Sequence, residues 1–288
     1  MSRIFDALQR SGVEQTGIEY PDAVSVTTKV FEVPERPGAA AREDFSASSL
    51  DDFPSVEVSV EPLGRLVFLT APESLAAEKF RYLGVRMRQL QQSRSIKKVL
   101  VTSTIAEDGK SIVSANRAGV LARRKRHKVL LIEGDLRRPV LAHRFGLGKL
   151  PGTTEWLRGD KDTVDNVYHL EGPDFWLMPA GHPTPNPLEL LQSGRLTTLL
   201  EQLSPLFDWI IVDSPPLLPL GDTTVWQRLT DGALLVVREG LTEKKALERG
   251  LEILKKADLI GVVLNGSSNG NHHNYYRRYA AGGSESRL

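Results

Sequence analysis

The chain has 288 residues, a formal net charge of +1, no cysteine, 40% apolar residues and 25% charged residues. Figures so close to the globular average exclude collagen, coiled coil and disorder throughout, and they allow one large domain with tails or two small domains. The missing cysteines exclude disulfides, thiolate zinc sites and a catalytic thiol, the balanced charge argues against a dedicated nucleic-acid binder, and neither an apolar run of the roughly 18 residues that span a membrane nor a signal-peptide core is present, so the sequence reads as a soluble cytosolic protein.

Ile4, Phe5 and Leu8 fall on one helical face within SRIFDALQR. A lone helix that short is marginal in water, which leaves a docking segment that orders on a partner or a frayed terminus. From Phe31 to Gly64 eight acids (Glu32, Glu35, Glu43, Asp44, Asp51, Asp52, Glu57, Glu61) meet two bases (Arg36, Arg42) among Pro34, Pro37, Pro54 and Pro62. Residues 1–72 are therefore expected to be a docking helix and an acidic, mostly disordered linker. Val56, Val58 and Val60 alternate with polar residues and predict one short strand inside it.

From about Glu73 helices alternate with short apolar strands. The pattern predicts a helix over Ser74–Gln91 with Ser74 as N-cap, and strands at Lys98–Thr102, Lys128–Glu133, Phe175–Met178, Trp209–Asp213, Gly232–Arg238 and Leu259–Asn265. Helices are expected at Ser111–Arg124, Gly194–Leu203 and Thr242–Lys256. Near-continuous apolar strands with helical crossovers imply an α/β domain over 73–265, with a mostly parallel sheet covered on both faces. Residues 266–288 turn polar and read as a flexible tail.

The sequence IAEDGKS, Ile105 to Ser111, follows a strand and opens a helix. That placement suits a P-loop, in which backbone N–H groups and a helix N-terminus face phosphates, Lys110 reaches the β/γ oxygens and the Ser111 hydroxyl ligates Mg²⁺. The nucleotide would lie along Thr104, Ile105, Ala106, Glu107, Asp108, Gly109, Lys110, Ser111 and Ile112. Thr104 stands at the first glycine position, so the motif alone also fits an ordinary strand-to-helix turn. Two more strand ends change the balance. VLLIEGDLRRP delivers Glu133, Asp135 and Arg137, and FDWIIVDSPP delivers Asp213. In an open parallel sheet ligands bind at the carboxyl ends of strands, so these side chains are expected in one crevice. Glu133, Asp135 and Asp213 beside Ser111 are the candidate oxygen ligands of Mg²⁺.

These residues resemble the bacterial tyrosine kinases (BY-kinases) of capsule and exopolysaccharide assembly, within the MinD/ParA-like branch of P-loop NTPases. IAEDGKS, LLIEGDLRRP and WIIVDSPP look like that family's Walker A, A′ and B motifs, and NPLELLQSGRL (Asn186 to Leu196) looks like its segment before Walker B. The resemblance implies an ATP- and Mg²⁺-dependent protein tyrosine autokinase. Lys110 would neutralise the β/γ-phosphates, Ser111 and Asp213 would hold Mg²⁺, Asp135 would take or orient the tyrosine proton, and Arg137 would stabilise nearby charge. Three of the six tyrosines, Tyr275, Tyr276 and Tyr279, cluster in the tail, like the phosphoacceptor cluster of these kinases.

In Ala76 to Leu90 the family's ring-closing Glu-x-x-Arg-x-x-Arg is matched by Glu78 and Arg81, but the third position is Gly84, where Arg88 one turn on is the candidate substitute. A solvated charged face is the competing account of that helix. Glu107 and Glu133 also depart from the family, bringing an acid near the triphosphate and a longer carboxylate to the A′ strand. The resemblance further implies a homo-oligomeric ring, recruitment to the inner face of the cell membrane by a separate membrane-embedded polysaccharide co-polymerase, and no nucleic acid. Its alternatives are a MinD/ParA-like ATPase switch and a nucleotide-binding scaffold with weak catalysis. The run RRKRHK (Arg123 to Lys128) reads as a solvated helix end favoured by the helix dipole.

Overall fold

The computed structural model describes residues 50–61, 65–123, 127–160, 164–218, 221–254 and 259–266. The expected docking helix, most of the acidic linker and the tail tyrosines lie outside the described residues.

A short 3₁₀ turn at Leu50–Asp52 leads into β1 (Ser55–Glu57), α1 (Val67–Thr70) and α2 (Leu75–Ser93). The Ser74 hydroxyl accepts from Ala77 N at 3.2 Å, so the expected N-cap starts α2. Then come β2 (Lys98–Ser103), α3 (Lys110–Ala122), β3 (Val129–Glu133), α4 (Leu141–Arg144) and α5 (Thr153–Arg158). The chain continues through β4 (Tyr168–Glu171), β5 (Phe175–Met178), α6 (Pro187–Leu191), α7 (Arg195–Leu203) and β6 (Trp209–Asp213). It closes with α8 (Asp222–Leu229), β7 (Gly232–Arg238), α9 (Lys244–Leu254) and β8 (Leu259–Asn265).

The eight strands form one sheet in the order β1-β4-β5-β3-β6-β2-β7-β8. All neighbours are parallel except β4 and β5, which form an antiparallel hairpin. Every residue of β3 and β6 is buried, as their unbroken apolar runs require of strands covered on both faces. Alternation divides them between two cores. Leu130, Ile132, Ile210 and Val212 join one with Trp226 and Leu251, whereas Val129, Leu131, Trp209 and Ile211 join the other with Leu83, Met87 and Leu121. Among the described residues no helix is long and apolar enough to cross a membrane.

The folded unit starts upstream of the boundary expected at residue 73. β1, built on the Val56 alternation, pairs with β4, and Phe53 stacks on Phe207 with ring centroids 6.4 Å apart. Leu66 and Phe68 are buried against α3, where Phe68 Cε2 would lie 2.2 Å from a side-chain carbon at Gly119. The acidic composition of this stretch concealed its apolar anchors, because charge and proline average over a window while a core needs only a few well-placed rings.

Candidate functional site

The sheet order places β6 between β3 and β2, so their carboxyl ends meet at one point, with Val101 and Glu133 in register with Asp213 on either side. The loop from Ser103 to Gly109 leaves β2 here and enters α3. Ser103 Oγ donates to the Ile105 carbonyl at 2.6 Å, and Ile105 N donates to Asp108 Oδ2 at 3.4 Å. Three groups from β7, β8 and the loop between β7 and α9 brace the turn. Thr242 Oγ1 donates to Asp108 Oδ1 at 2.6 Å, Asn265 Nδ2 to the Asp108 carbonyl at 2.8 Å, and Arg238 Nη1 to the Glu107 carbonyl at 3.2 Å. Burial pushes the Asp108 carboxyl up, against the Thr242 hydrogen bond.

The backbone turns through positive φ twice, at Glu107 (68°) and Gly109 (94°). Gly109 is required on two counts, since a Cβ there would also sit 2.2 Å from Asn265 Nδ2. Glu107 bears the left-handed strain that a glycine would avoid, and its exposed side chain stands in solvent.

Lys110 Nζ lies 3.0 Å from Asp135 Oδ2 and 3.4 Å from Ser111 Oγ. Burial opposes its charge, but Asp213 and Asp135 outweigh that and hold the ammonium above its ordinary pKa. Asp135 Oδ1 accepts from Arg138 N at 3.0 Å. Asp213 is 1% exposed, and burial pushes its carboxyl up despite Lys110. Its Oδ1 accepts from Ser114 Oγ at 3.1 Å, whereas Oδ2 is buried with no hydrogen-bond partner among the described residues. Thr104 Oγ1 is likewise buried and unpartnered. An orphaned carboxylate oxygen beside a serine hydroxyl is a donor set that fits Mg²⁺, a hard cation that takes one or two carboxylates and fills its sphere with phosphate and water oxygens. Among the described residues no group of three or more His, Asp or Glu side chains could hold a metal alone.

Glu133, expected beside Asp213 as a metal ligand, has both oxygens engaged by backbone donors. Its Oε1 accepts from Val140 N and Leu141 N, and Oε2 accepts from Ala180 N at 3.1 Å. Burial raises its pKa, opposed by these backbone donors. The extra methylene that suggested a longer reach to Mg²⁺ instead points the carboxylate at three backbone donors, so Glu133 ties the start of α4 and the loop after β5 to the end of β3. Arg137 is also engaged. Its Nε and Nη2 donate to the two oxygens of buried Asp222 at 2.7 and 3.1 Å, which raises its pKa and fixes it at the start of α8.

On α2, Arg81 Nε donates to Glu78 at 2.7 Å and Nη1 to the Pro72 carbonyl at 2.7 Å. Arg88 reaches Gly84, with Nη1 3.5 Å from the point a side chain there would occupy. Sequence reasoning passed over Asn265, Thr242, Ser114 and Asp222. Asn265 was the most legible of them, a polar residue ending an otherwise apolar strand.

No protein-family model matches the chain. It is similar to the tyrosine-protein kinase YwqD of Bacillus subtilis (strain 168), with 32% identity over 212 residues that cover 73% of this chain and 89% of the relative. A putative tyrosine-protein kinase, CapB of Staphylococcus aureus, is 30% identical over 210 residues, covering 72% and 92%. Among solved structures, the kinase domain of the Escherichia coli tyrosine kinase ETK superposes with a TM-score of 0.67 at 30% identity, covering 70% of this chain and 79% of that one. The chimerical protein CapA2B2 gives a TM-score of 0.66 at 27% identity, covering 74% and 93%.

Proposed function

The chain belongs to the bacterial tyrosine-protein kinases, and from that premise we propose that its site transfers the γ-phosphoryl group of ATP to tyrosine hydroxyls, those of Tyr275, Tyr276 and Tyr279 among them. The observation that carries the reading is the half-buried Lys110, paired with Asp135 and held charged by Asp213, with one Asp213 oxygen unpartnered among the described residues, at the N-terminus of α3.

The phosphates would lie over the Gly109–Ile112 backbone, where the N–H groups and the dipole of α3 favour negative charge. Lys110 then follows the β/γ oxygens and leaves Asp135. The freed Asp135 carboxylate accepts the tyrosine proton while the phosphoryl group moves in line. Ser111 and Asp213 would hold Mg²⁺, which would supply neutralisation of phosphate charge. Arg137, fixed by Asp222, keeps a positive charge on the rim of the site. Such a small kit suffices because phosphoryl transfer depends mostly on positioning and electrostatics.

Ring assembly through α2 and recruitment to the inner face of the membrane by a membrane-embedded polysaccharide co-polymerase belong to the same proposal, and ring assembly rests on the match of Glu78 and Arg81 to the family's Glu-x-x-Arg motif. In that setting phosphorylation of the tail would regulate capsule or exopolysaccharide polymerisation and export.

The test is phosphate mapping by mass spectrometry after incubation with Mg·ATP and the cytosolic segment of the co-polymerase, which would also activate the kinase, in wild type, Lys110→Ala and the triple Phe variant of Tyr275, Tyr276 and Tyr279. Wild type is expected to carry tail phosphotyrosine, reduced by about a hundredfold or more in Lys110→Ala. Free phosphate without phosphotyrosine would instead identify an ATPase switch, and neither product a scaffold.

A further inference from the structure

Arg117 sits midway along α3 and is 1% exposed, yet its Nε, Nη1 and Nη2 all lack a hydrogen-bond partner among the described residues. A guanidinium carries five N–H donors and stays charged, so a buried one is normally met by a carboxylate or by carbonyls. Here the surroundings deepen the deficit. A Cβ built at Gly84 on α2 would lie 3.4 Å from Arg117 Nη1 and 3.5 Å from Arg88 Nη1, with Val120 Cγ1 at 3.0 Å as the wall. Two guanidinium groups, one from each helix, converge on a position of the seam that carries no side chain. Burial, and after it the charge of Arg88, bring Arg117 down to about 9. Leaving such a group uncompensated is costly, and the cost is removed by an anion or by an apolar replacement.

We propose that Gly84, Arg88 and Arg117 form an anion site in the seam between α2 and α3 that takes a phosphate-type oxyanion. Two cations facing one point match a dianion better than a lone carboxylate. Gly84 provides the opening, because any larger residue would put its side chain between the two guanidinium groups. The half-buried Arg88 marks the entry side, and occupancy requires movement of the flexible ends of two arginines rather than of backbone. A bound anion would fasten α2, which exposes Tyr82 and Val85, onto the helix that begins at the nucleotide loop.

The experiment is thermal unfolding of the full chain, free of nucleotide and Mg²⁺, with inorganic phosphate titrated against chloride at constant ionic strength. Wild type and Lys110→Ala are expected to show the same saturable rise, roughly 5–10 °C at a hundred times Kd. Arg117→Leu is expected to melt higher than wild type without phosphate and to lose the rise. Gly84→Ala is expected to keep Arg117 and also lose the rise. A rise that persists in Arg117→Leu, or that disappears in Lys110→Ala, puts the phosphate in the nucleotide loop and overturns the site. A tail peptide spanning residues 271–282, with and without phosphotyrosine, distinguishes the sources, and this arm alone rests on the kinase reading. A rise with free phosphate only identifies the ion as ligand, a further rise specific to the phosphopeptide identifies the tail phosphate, and either upholds the site.

Discussion

Asp213 meets two opposed demands. As the acid at the end of β6 it offers an unpartnered oxygen to the site, and for that it is buried where charge is unfavourable. Because burial raises its pKa, the folded chain keeps this proton to a higher pH than the unfolded chain. The stability that this group contributes is therefore full below the ordinary carboxylate range and is lost as pH rises toward the raised folded value. Asp213→Asn is expected to melt above wild type at neutral pH without Mg²⁺ or nucleotide, with the gap closing in acid, while phosphoryl transfer falls by about a hundredfold or more. Melting curves that match wild type across the whole pH range would show that the buried charge costs nothing. Arg117 presents the same physics without an evident place in phosphoryl transfer, which is why it points to a ligand of its own.

At the level of elements, the site is an arrangement of strand ends braced from outside. Asn265, Thr242 and Arg238 hold the loop before α3 from the β7–β8 side, and Glu133 holds the β3 end from the other. Replacing Glu133 by Gln turns one acceptor oxygen into a donor facing a buried N–H, a cost of about 1–3 kcal/mol. Urea denaturation of Glu133→Gln should register that loss while Mg·nucleotide affinity stays within about twofold of wild type. A large affinity loss in a folded Glu133→Gln would instead return Glu133 to the metal. The strands and long helices were legible because their periodicity is internal to each segment, as in the apolar runs of β3 and β6 and the Ser74 cap of α2. β4 and α1 were not legible, since four residues hold a single turn or alternation and are stabilised by what they pack against; the equally short β5 was legible only because its run FWLM is unbroken and apolar.

For the whole molecule, the start of the folded unit has a measurable consequence. Phe53, Leu66 and Phe68 each bury a large apolar side chain upstream of residue 73. At roughly 1.5–3 kcal/mol each, their loss would remove about 5–9 kcal/mol, comparable with the entire stability of many domains. A chain beginning at Glu73 is expected to be unfolded or to aggregate at 37 °C, whereas one beginning at Leu50 retains all three anchors, as circular dichroism melts would distinguish. By itself the sequence determined the α/β class, every strand except β4 and the residue types at the strand ends that meet beside the loop before α3, because apolar runs, caps and glycine-containing turns act over a few neighbouring residues. Only the tertiary structure decided which carboxylates are open and which are occupied. Glu133 and Asp213 are both acids ending buried strands, and the difference between them is the set of N–H groups that distant loops bring within reach. The same holds for Gly84 and Arg117, ordinary in their own helices, whose significance arises where two helices pack and leave a buried guanidinium without a hydrogen-bond partner among the described residues.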